Sequence, residues 1–192
     1  MKAIIYNIRR ILDLDVDMQL VEQDIQSCFA DNFIINSGIR LPGIWSLFEA
    51  GIRAILGQQI SVVAARNLVE SLVHALGEKV GDKLLFPTPQ AIASSELAFF
   101  KMPGSRKQTL RNLAQHYLDS ETPNEPEQWL TLKGIGPWTV EYAKLRGLSD
   151  PDVFLGGDLG VKKAMVNLKP NFVLAQAAPW RSYLTFQLWS QL

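Results

Sequence analysis

The chain offers almost no sulfur chemistry and no excess of charge. A single cysteine, Cys28, stands in 192 residues, which excludes an internal disulfide, a thiolate zinc centre and an iron–sulfur cluster, since each needs several thiolates. A reducing compartment fits that usage. Nineteen Lys and Arg balance nineteen Asp and Glu, so a polyanion would have to be gripped by local patches and not by a global field. No run approaches the ~20 apolar residues of a membrane span. The N-terminus, MKAIIYNIRRILDLDVD, lacks an apolar stretch followed by a small-residue cleavage site, and a cytoplasmic location is expected. Strand patterns are scarce too: only residues 3–8 read as one, and they read equally well as helix.

What remains is a core-forming chain, 47% hydrophobic and 20% charged, of a length for one domain. Spacing of three and four between apolar residues predicts a nearly all-α fold. A first helix takes in Ile4, Ile8, Ile11 and Leu12, and a second runs from a cap at Asp17 to Phe29. Trp45, Phe48, Ile52, Ile55 and Leu56 share one face of a helix over 45–57 that breaks at Gly57. Ser61 caps a long helix ending at Gly77. Thr88–Pro89 and the Ser105/Gln108 pair, with capping-box spacing, mark two further starts. An acidic turn at 123–127 leads to a short helix ending near Leu132, and Gly136–Pro137 opens a helix over 138–148. The last two helices should follow Asp158 and Pro179.

Charge is uneven along the chain. Residues 101–111 carry Lys101, Arg106, Lys107 and Arg111 without an acid, and residues 159–192 carry Lys162, Lys163, Lys169 and Arg181 without an acid. Asp119, Glu121, Glu125 and Glu127 gather the opposite sign. Solvated helix faces account for such runs unless they lie near a ligand site. His74 and His116 fall on predicted helices with no partner in sequence and read as surface or satisfied residues.

The segment LKGIGPWTV, residues 132–140, is the most informative. Gly134 and Gly136 remove side chains where backbone N–H groups could approach a ligand, and Pro137 begins a helix whose N-terminal end favours an anion such as phosphate. Ile135 would turn inward and fasten the hairpin. A glycine C-cap joined to a proline-started helix explains the same letters without a ligand. Asp158, after Gly156–Gly157 and before a helix, is on local grounds an N-cap. Gln58 and Gln59 are a polar pair in an apolar neighbourhood and locally a loop.

Four segments in a fixed order carry a resemblance: RLPGIWSLFEAGIRAILGQQIS (40–61), KMPGSRKQTLRNLA (101–114), LKGIGPWTVEYAKLRG (132–147) with DVFLGGDLGVKKAM (152–165), and PWRSYLTFQLW (179–189). Together they resemble the helix-hairpin-helix DNA glycosylases, within them the DNA-3-methyladenine glycosylase II branch. The likeness is weakest before residue 38. It implies an all-α, compact multi-helix DNA glycosylase fold over residues 1–192, with a hairpin at about 125–148 and two helical subregions flanking a base-binding cleft. Larger members of the family add a β-rich N-terminal domain, and this chain is expected to hold the helical core alone.

The resemblance also implies roles. Asp158 matches the family's catalytic carboxylate, which stabilises positive charge developing on the sugar as an N-glycosidic bond breaks. Where bifunctional members place a Schiff-base lysine after the hairpin's Gly-Pro, this chain has Trp138, so no lyase step is expected. Trp138, Tyr142 and Trp180 match aromatic positions of the base pocket, while Trp45 and Trp129 read as core. Gln59, with Gln58 beside it, matches the intercalating wedge; some members have leucine there, whereas glutamine can hydrogen-bond the orphaned base. Gly134, Ile135 and Gly136, with Lys162 and Lys163, would meet DNA phosphates. Backbone carbonyls of Leu130, Leu132 and Ile135 would hold a monovalent cation, Na or K, and no organic cofactor is implied. The expected partner is double-stranded DNA containing alkylated bases, met by a monomer without a membrane. A catalytically inactive helix-hairpin-helix DNA-binding module is the rival reading, against which Asp158, Trp138 and Trp180 argue. An all-helical protein adapter would leave the paired glycines and basic runs without a purpose.

Overall fold

The computed structural model describes residues 1–29, 33–166 and 173–192. Lys169, counted in one basic run, lies outside them. More than half of the described chain is helical and its strands are two residues long each, and it divides into two compact units, one built from Met1–Trp45 with Lys144–Leu192 and the other from Ser46–Ala143.

In the Ser46–Ala143 unit, the helix α3 (Leu47–Gly57) is the hub: α4 (Val62–Leu76), α6 (Gly104–Asp119) and α7 (Pro137–Ala143) all pack on it. Its sequence explains that place, because Leu47, Phe48, Ala50, Gly51, Ile52, Ala54, Ile55 and Leu56 are all buried. A Cβ on Gly51 would lie 2.8 Å from side-chain carbons of both Leu113 and Trp129, so glycine permits the close approach of α6 and the buried Trp129. Ser46 caps the helix, accepting from the Glu49 N–H at 3.2 Å. Trp45 therefore precedes the cap and is 55% exposed, which corrects its reading as core: a residue ahead of the N-cap does not share the helix's apolar face. Trp129 is fully buried, as expected.

Ser61 and Thr88 cap α4 and α5 (Pro89–Ala93) as their sequences predict. At α6 the start is two residues earlier than the capping-box spacing suggests. Gly104 opens the helix after Pro103 with no side-chain cap, and Ser105 sits inside the first turn, where its carbonyl accepts from Thr109 Oγ1 at 3.1 Å. Between α4 and α5 lies a two-residue β-hairpin, β1 (Lys79–Val80) antiparallel to β2 (Lys83–Leu84), turning on Gly81 at φ +61°. Such short exposed strands leave no alternating pattern to read. The expected short helix before the glycines is a 3₁₀ turn, Pro126–Thr131, and α7 passes into a π-helical turn, Lys144–Leu148.

The other unit contains α1 (Lys2–Ile11), α2 (Met18–Ser27), α8 (Leu159–Met165) and α9 (Arg181–Trp189). Residues 3–8 are helix, not strand. Arg10 of α1 is the principal anchor of its end of the chain, donating to the carbonyls of Gly147 at 2.9 Å and Ile44 at 2.7 Å and to Ser149 Oγ at 3.0 Å. Asp17 caps α2 as predicted. Asp13, buried at φ +53°, accepts from Leu41 N at 2.9 Å and from Tyr183 of α9 at 3.0 Å. Burial, then the Asp13 carboxylate, pushes the Tyr183 phenol far above its ordinary ionisation range, so it stays a neutral donor that anchors α9.

Candidate functional site

The glycine-rich loop before α8 is lashed to α9 by a ladder of side-chain bonds. Arg181 pairs with Asp152 through two contacts of 2.7 Å. Ser182 Oγ accepts from Val153 N at 2.9 Å and donates to Asp150 O at 2.6 Å. Thr185 Oγ1 accepts from Leu155 N at 3.4 Å, and Trp189 Nε1 donates to Asp158 Oδ1 at 2.9 Å. Positions 181, 182, 185 and 189 fall on one side of a helix, so a single helical face sets the register of the whole loop. Arg181 is the first cause of Asp152's carboxyl lying below its usual range.

Asp158 takes the capping role that its local sequence predicts. It caps α8, with Oδ1 accepting from Gly160 N at 2.8 Å and Val161 N at 3.1 Å, and the Trp189 indole makes a third N–H on the same oxygen. Three donors on one oxygen fix the plane of the carboxylate. Gly160 leaves room for this: a Cβ there would be 3.1 Å from Asp158 Oδ1 and 3.2 Å from Trp189 Cδ1. Lys162 and Lys163 follow on exposed positions of α8.

Trp180 is placed differently from the sequence expectation. Its Nε1 donates to Asp24 Oδ2 at 2.8 Å, and it stands at the N-cap of α9, the end opposite to Trp189. Nine residues of helix rise ~13 Å, so the aromatic beside Asp158 is Trp189. Sequence reasoning missed that residue. Its one available signal was membership of the PWRSYLTFQLW segment, where two tryptophans compete for a single matched position.

In the Ser46–Ala143 unit the hairpin residues separate by cause. Gly134 lies at φ +93°, and a Cβ on it would sit 2.0 Å from Thr109 Oγ1, so glycine there serves the backbone and internal packing. Thr109 Oγ1 shares its one hydrogen between Ser105 O and Lys133 O, each at 3.1 Å. Among the described residues a Cβ on Gly136 meets nothing within 4 Å; open space at this position suits an external group that comes close to the backbone. Ile135 is buried, 7% exposed, as expected. No acidic residue stands in the first turn of α7.

Trp138 and Tyr142, one turn apart on α7, stack with centroids 5.4 Å apart and planes 29° apart, each half-buried. Together they make a ledge of aromatic surface. The glutamine pair also separates. Gln59 is exposed at φ +59°, the left-handed region that a non-glycine residue seldom occupies, whereas Gln58 turns inward, its Nε2 donating to Gly134 O at 3.1 Å and to Thr139 Oγ1 at 3.0 Å. Among the described residues no group of three or more His, Cys, Asp or Glu is placed to hold a metal.

Comparison with known proteins fits these arrangements. Residues 52–171 match the HhH-GPD superfamily base excision DNA repair protein family, and residues 1–46 match the AlkA N-terminal domain. That second match lies where the sequence motifs are weakest, and the described residues of that stretch hold α1 and α2 and no strand. The chain is 34% identical to DNA-3-methyladenine glycosylase 2 of Escherichia coli, over 94% of this chain and 68% of that protein. It is 31% identical to a probable bifunctional transcriptional activator/DNA repair enzyme AlkA of Mycobacterium tuberculosis, over 96% of this chain and 42% of that one. The solved 3-methyladenine DNA-glycosylase from Archaeoglobus fulgidus shares the fold with a TM-score of 0.76 at 23% identity, covering 98% of this chain and 73% of that one.

Proposed function

Because this chain belongs to the HhH-GPD superfamily of base excision DNA repair proteins, we propose that it is a monofunctional DNA glycosylase that hydrolyses the N-glycosidic bond of alkylated bases such as 3-methyladenine. The observation that carries this reading is the Asp158 carboxylate, fixed through one oxygen by three N–H donors at the end of a loop registered on α9. A positioned carboxylate stabilises the positive charge that develops on the sugar as the base departs, and it orients the water that replaces the base. An alkylated purine is already cationic and leaves without a strong general acid.

The target base must first leave the stack. In this reading exposed Gln59 enters the duplex where the base departs, the backbone around Gly134–Gly136 meets the phosphates, and Lys162 and Lys163 add charge to neighbouring phosphates. The Trp138–Tyr142 ledge offers an aromatic face to the flipped base, worth ~1–2 kcal/mol to a cation. Trp138 stands where an imine-forming lysine would have to be, so the strand is left uncut at an abasic site.

No organic cofactor enters the reaction. The carbonyls of Leu130, Leu132 and Ile135 are neutral oxygen donors of the kind hard cations take; the Leu132 carbonyl accepts from Ile135 N at 3.1 Å and keeps a second lone pair. A bound Na or K ion would supply positive charge beside the hairpin. No helix among the described residues is long and apolar enough to cross a membrane, and the reading places the protein in the cytoplasm, at the nucleoid when it acts on DNA.

The test is direct. Purified protein is incubated with methylated duplex DNA and released bases are identified by chromatography. Release of 3-methyladenine without strand cleavage is expected. Tight binding with no release would leave a DNA-binding module in its place.

A further inference from the structure

The two adjacent glutamines that follow α3 have opposite surroundings. Gln59 is exposed in a left-handed conformation. Gln58 has both amide hydrogens engaged, one on the Gly134 carbonyl at the apex of the hairpin and one on Thr139 Oγ1, a side chain only 1% exposed. The Gln58 backbone carbonyl is engaged as well, accepting from Arg106 Nη2 at 2.9 Å. The N-terminal half of α6, which carries Arg106, is itself bound to the hairpin through Thr109 Oγ1 and Lys133 O. Three segments far apart in sequence, 58–61, 105–109 and 133–139, thus form a closed ring of side-chain to main-chain bonds.

We propose that Gln58 is a positioning residue that locks the exposed Gln59 to the hairpin, so that wedge and phosphate contact meet DNA as one rigid piece. This deepens the proposed glycosylase reading and rests on it. Gln58 itself does not enter the duplex, because doing so would strip the Gly134 and Thr139 acceptors of their donor. A left-handed backbone at Gln59 has no glycine to relax it, so something must hold the turn; the amide of Gln58 on one side and the guanidinium of Arg106 on the other do so. Once the distance from hairpin to wedge is set, phosphate binding places Gln59 at a defined base step. Without the lock the same phosphates can be bound with the wedge out of register.

Gln58→Leu removes both donors at similar volume, and Thr139→Val removes one acceptor without changing shape. In the free protein Gln58→Leu should speed amide hydrogen exchange at Gln59, Ile60 and Ser61 by at least about 10-fold with the rest of α3 unchanged. With DNA, it should lower single-turnover excision about 10-fold and the fluorescence of 2-aminopurine placed at the flipped position, while affinity for undamaged duplex stays within about twofold. Gln59→Ala should cost less in the Gln58→Leu background than it does in the parent, because the two act in series. Thr139→Val should reproduce part of the loss and Thr139→Ser should restore it.

Unchanged exchange at residues 59–61 in Gln58→Leu overturns the lock whatever the reaction proves to be. Faster exchange with parental excision overturns its role in placing the wedge. A parent protein that releases no base, with exchange responding as described, overturns the glycosylase reading and leaves the lock standing.

Discussion

Two stretches of this chain are written in the same letters and do opposite things. Each is a glycine-rich turn leading into a seven-residue helix, LKGIGPW before α7 and FLGGDLG before α8. Before α8 the residue at the helix start is Asp158, whose Oδ1 takes the first N–H groups of its own helix; that terminus is filled, and the carboxylate is what it presents. Before α7 the helix starts on Pro137 with no acid in its first turn, so what that turn presents is backbone. The means of support differ as well. The carboxylate loop is held by side chains of one helix, α9, while the hairpin is held by its own backbone conformation at Gly134 and by single contacts from Thr109 and Gln58. A charge that must be aimed needs several points of support; a turn that offers N–H groups needs mainly the right φ.

The strongest way to break this comparison is Asp158→Asn. The amide oxygen can still accept the three N–H groups, so the fold should persist, while single-turnover excision falls about 100-fold or more, equivalent to ~3 kcal/mol of transition-state stabilisation. Near-parental excision, measured by base release, would remove the carboxylate from the chemistry. Unfolding of the Asn variant would mean that the capping role dominates.

The hairpin should respond in stability instead. Gly134→Ala puts a Cβ against Thr109 at φ +93° and should cost ~1–3 kcal/mol in denaturant unfolding. Gly136→Ala, with open space around it, should change stability by less than ~1 kcal/mol yet weaken binding to lesion and undamaged duplex together. Equal stability losses in the two variants would undo the division between an internal and an external glycine.

Trp189→Phe sharpens the ladder's part in the comparison. The T-shaped packing on Phe186, at 5.0 Å, can survive, but the third donor to Asp158 goes. Excision should fall about 10-fold, the ~1.5 kcal/mol of one hydrogen bond to a charged group, with duplex affinity unchanged. A matching loss in Trp180→Phe, whose indole serves Asp24, would contradict the assignment of Trp189 as the partner.

Smaller effects follow from charge. Replacing Lys162 and Lys163 together should flatten the slope of log K against log salt by up to ~2, about 0.9 for each phosphate no longer neutralised, and should weaken lesion and normal DNA alike. An unchanged slope takes both lysines out of the interface. The Asp152–Arg181 pair gives the smallest signal. Asp152 titrates below its unfolded value because of Arg181, so its contribution is present above a pH of about 4 and is lost as pH falls through the folded value. With both side chains about a third exposed, solvent screening limits it to less than ~1 kcal/mol. Arg181→Gln should therefore lower the thermal midpoint slightly at neutral pH and leave it unchanged in strong acid, as followed by a melting series over pH.

Much was legible in the letters because its causes are local. Caps at Asp17, Ser61, Thr88 and Asp158 act within three residues of themselves, and each appears where the sequence puts it. The hairpin, the absence of a lysine after Gly136–Pro137 and the position of the carboxylate are likewise properties of short segments. What the sequence by itself determined is therefore most of the helices, the starts that carry a side-chain cap at Asp17, Ser61, Thr88 and Asp158, and the order of the chemical groups. Tertiary structure decided which tryptophan reaches Asp158, across 31 residues, and which glutamine is bonded to the hairpin, across 76, while its neighbour stays exposed. It also decided that Trp45 faces solvent and that one glycine of the hairpin answers to Thr109 while the other meets nothing within 4 Å among the described residues. Equivalent residues in a short segment differ only in what packs against them, and that partner is chosen by the fold of distant parts of the chain.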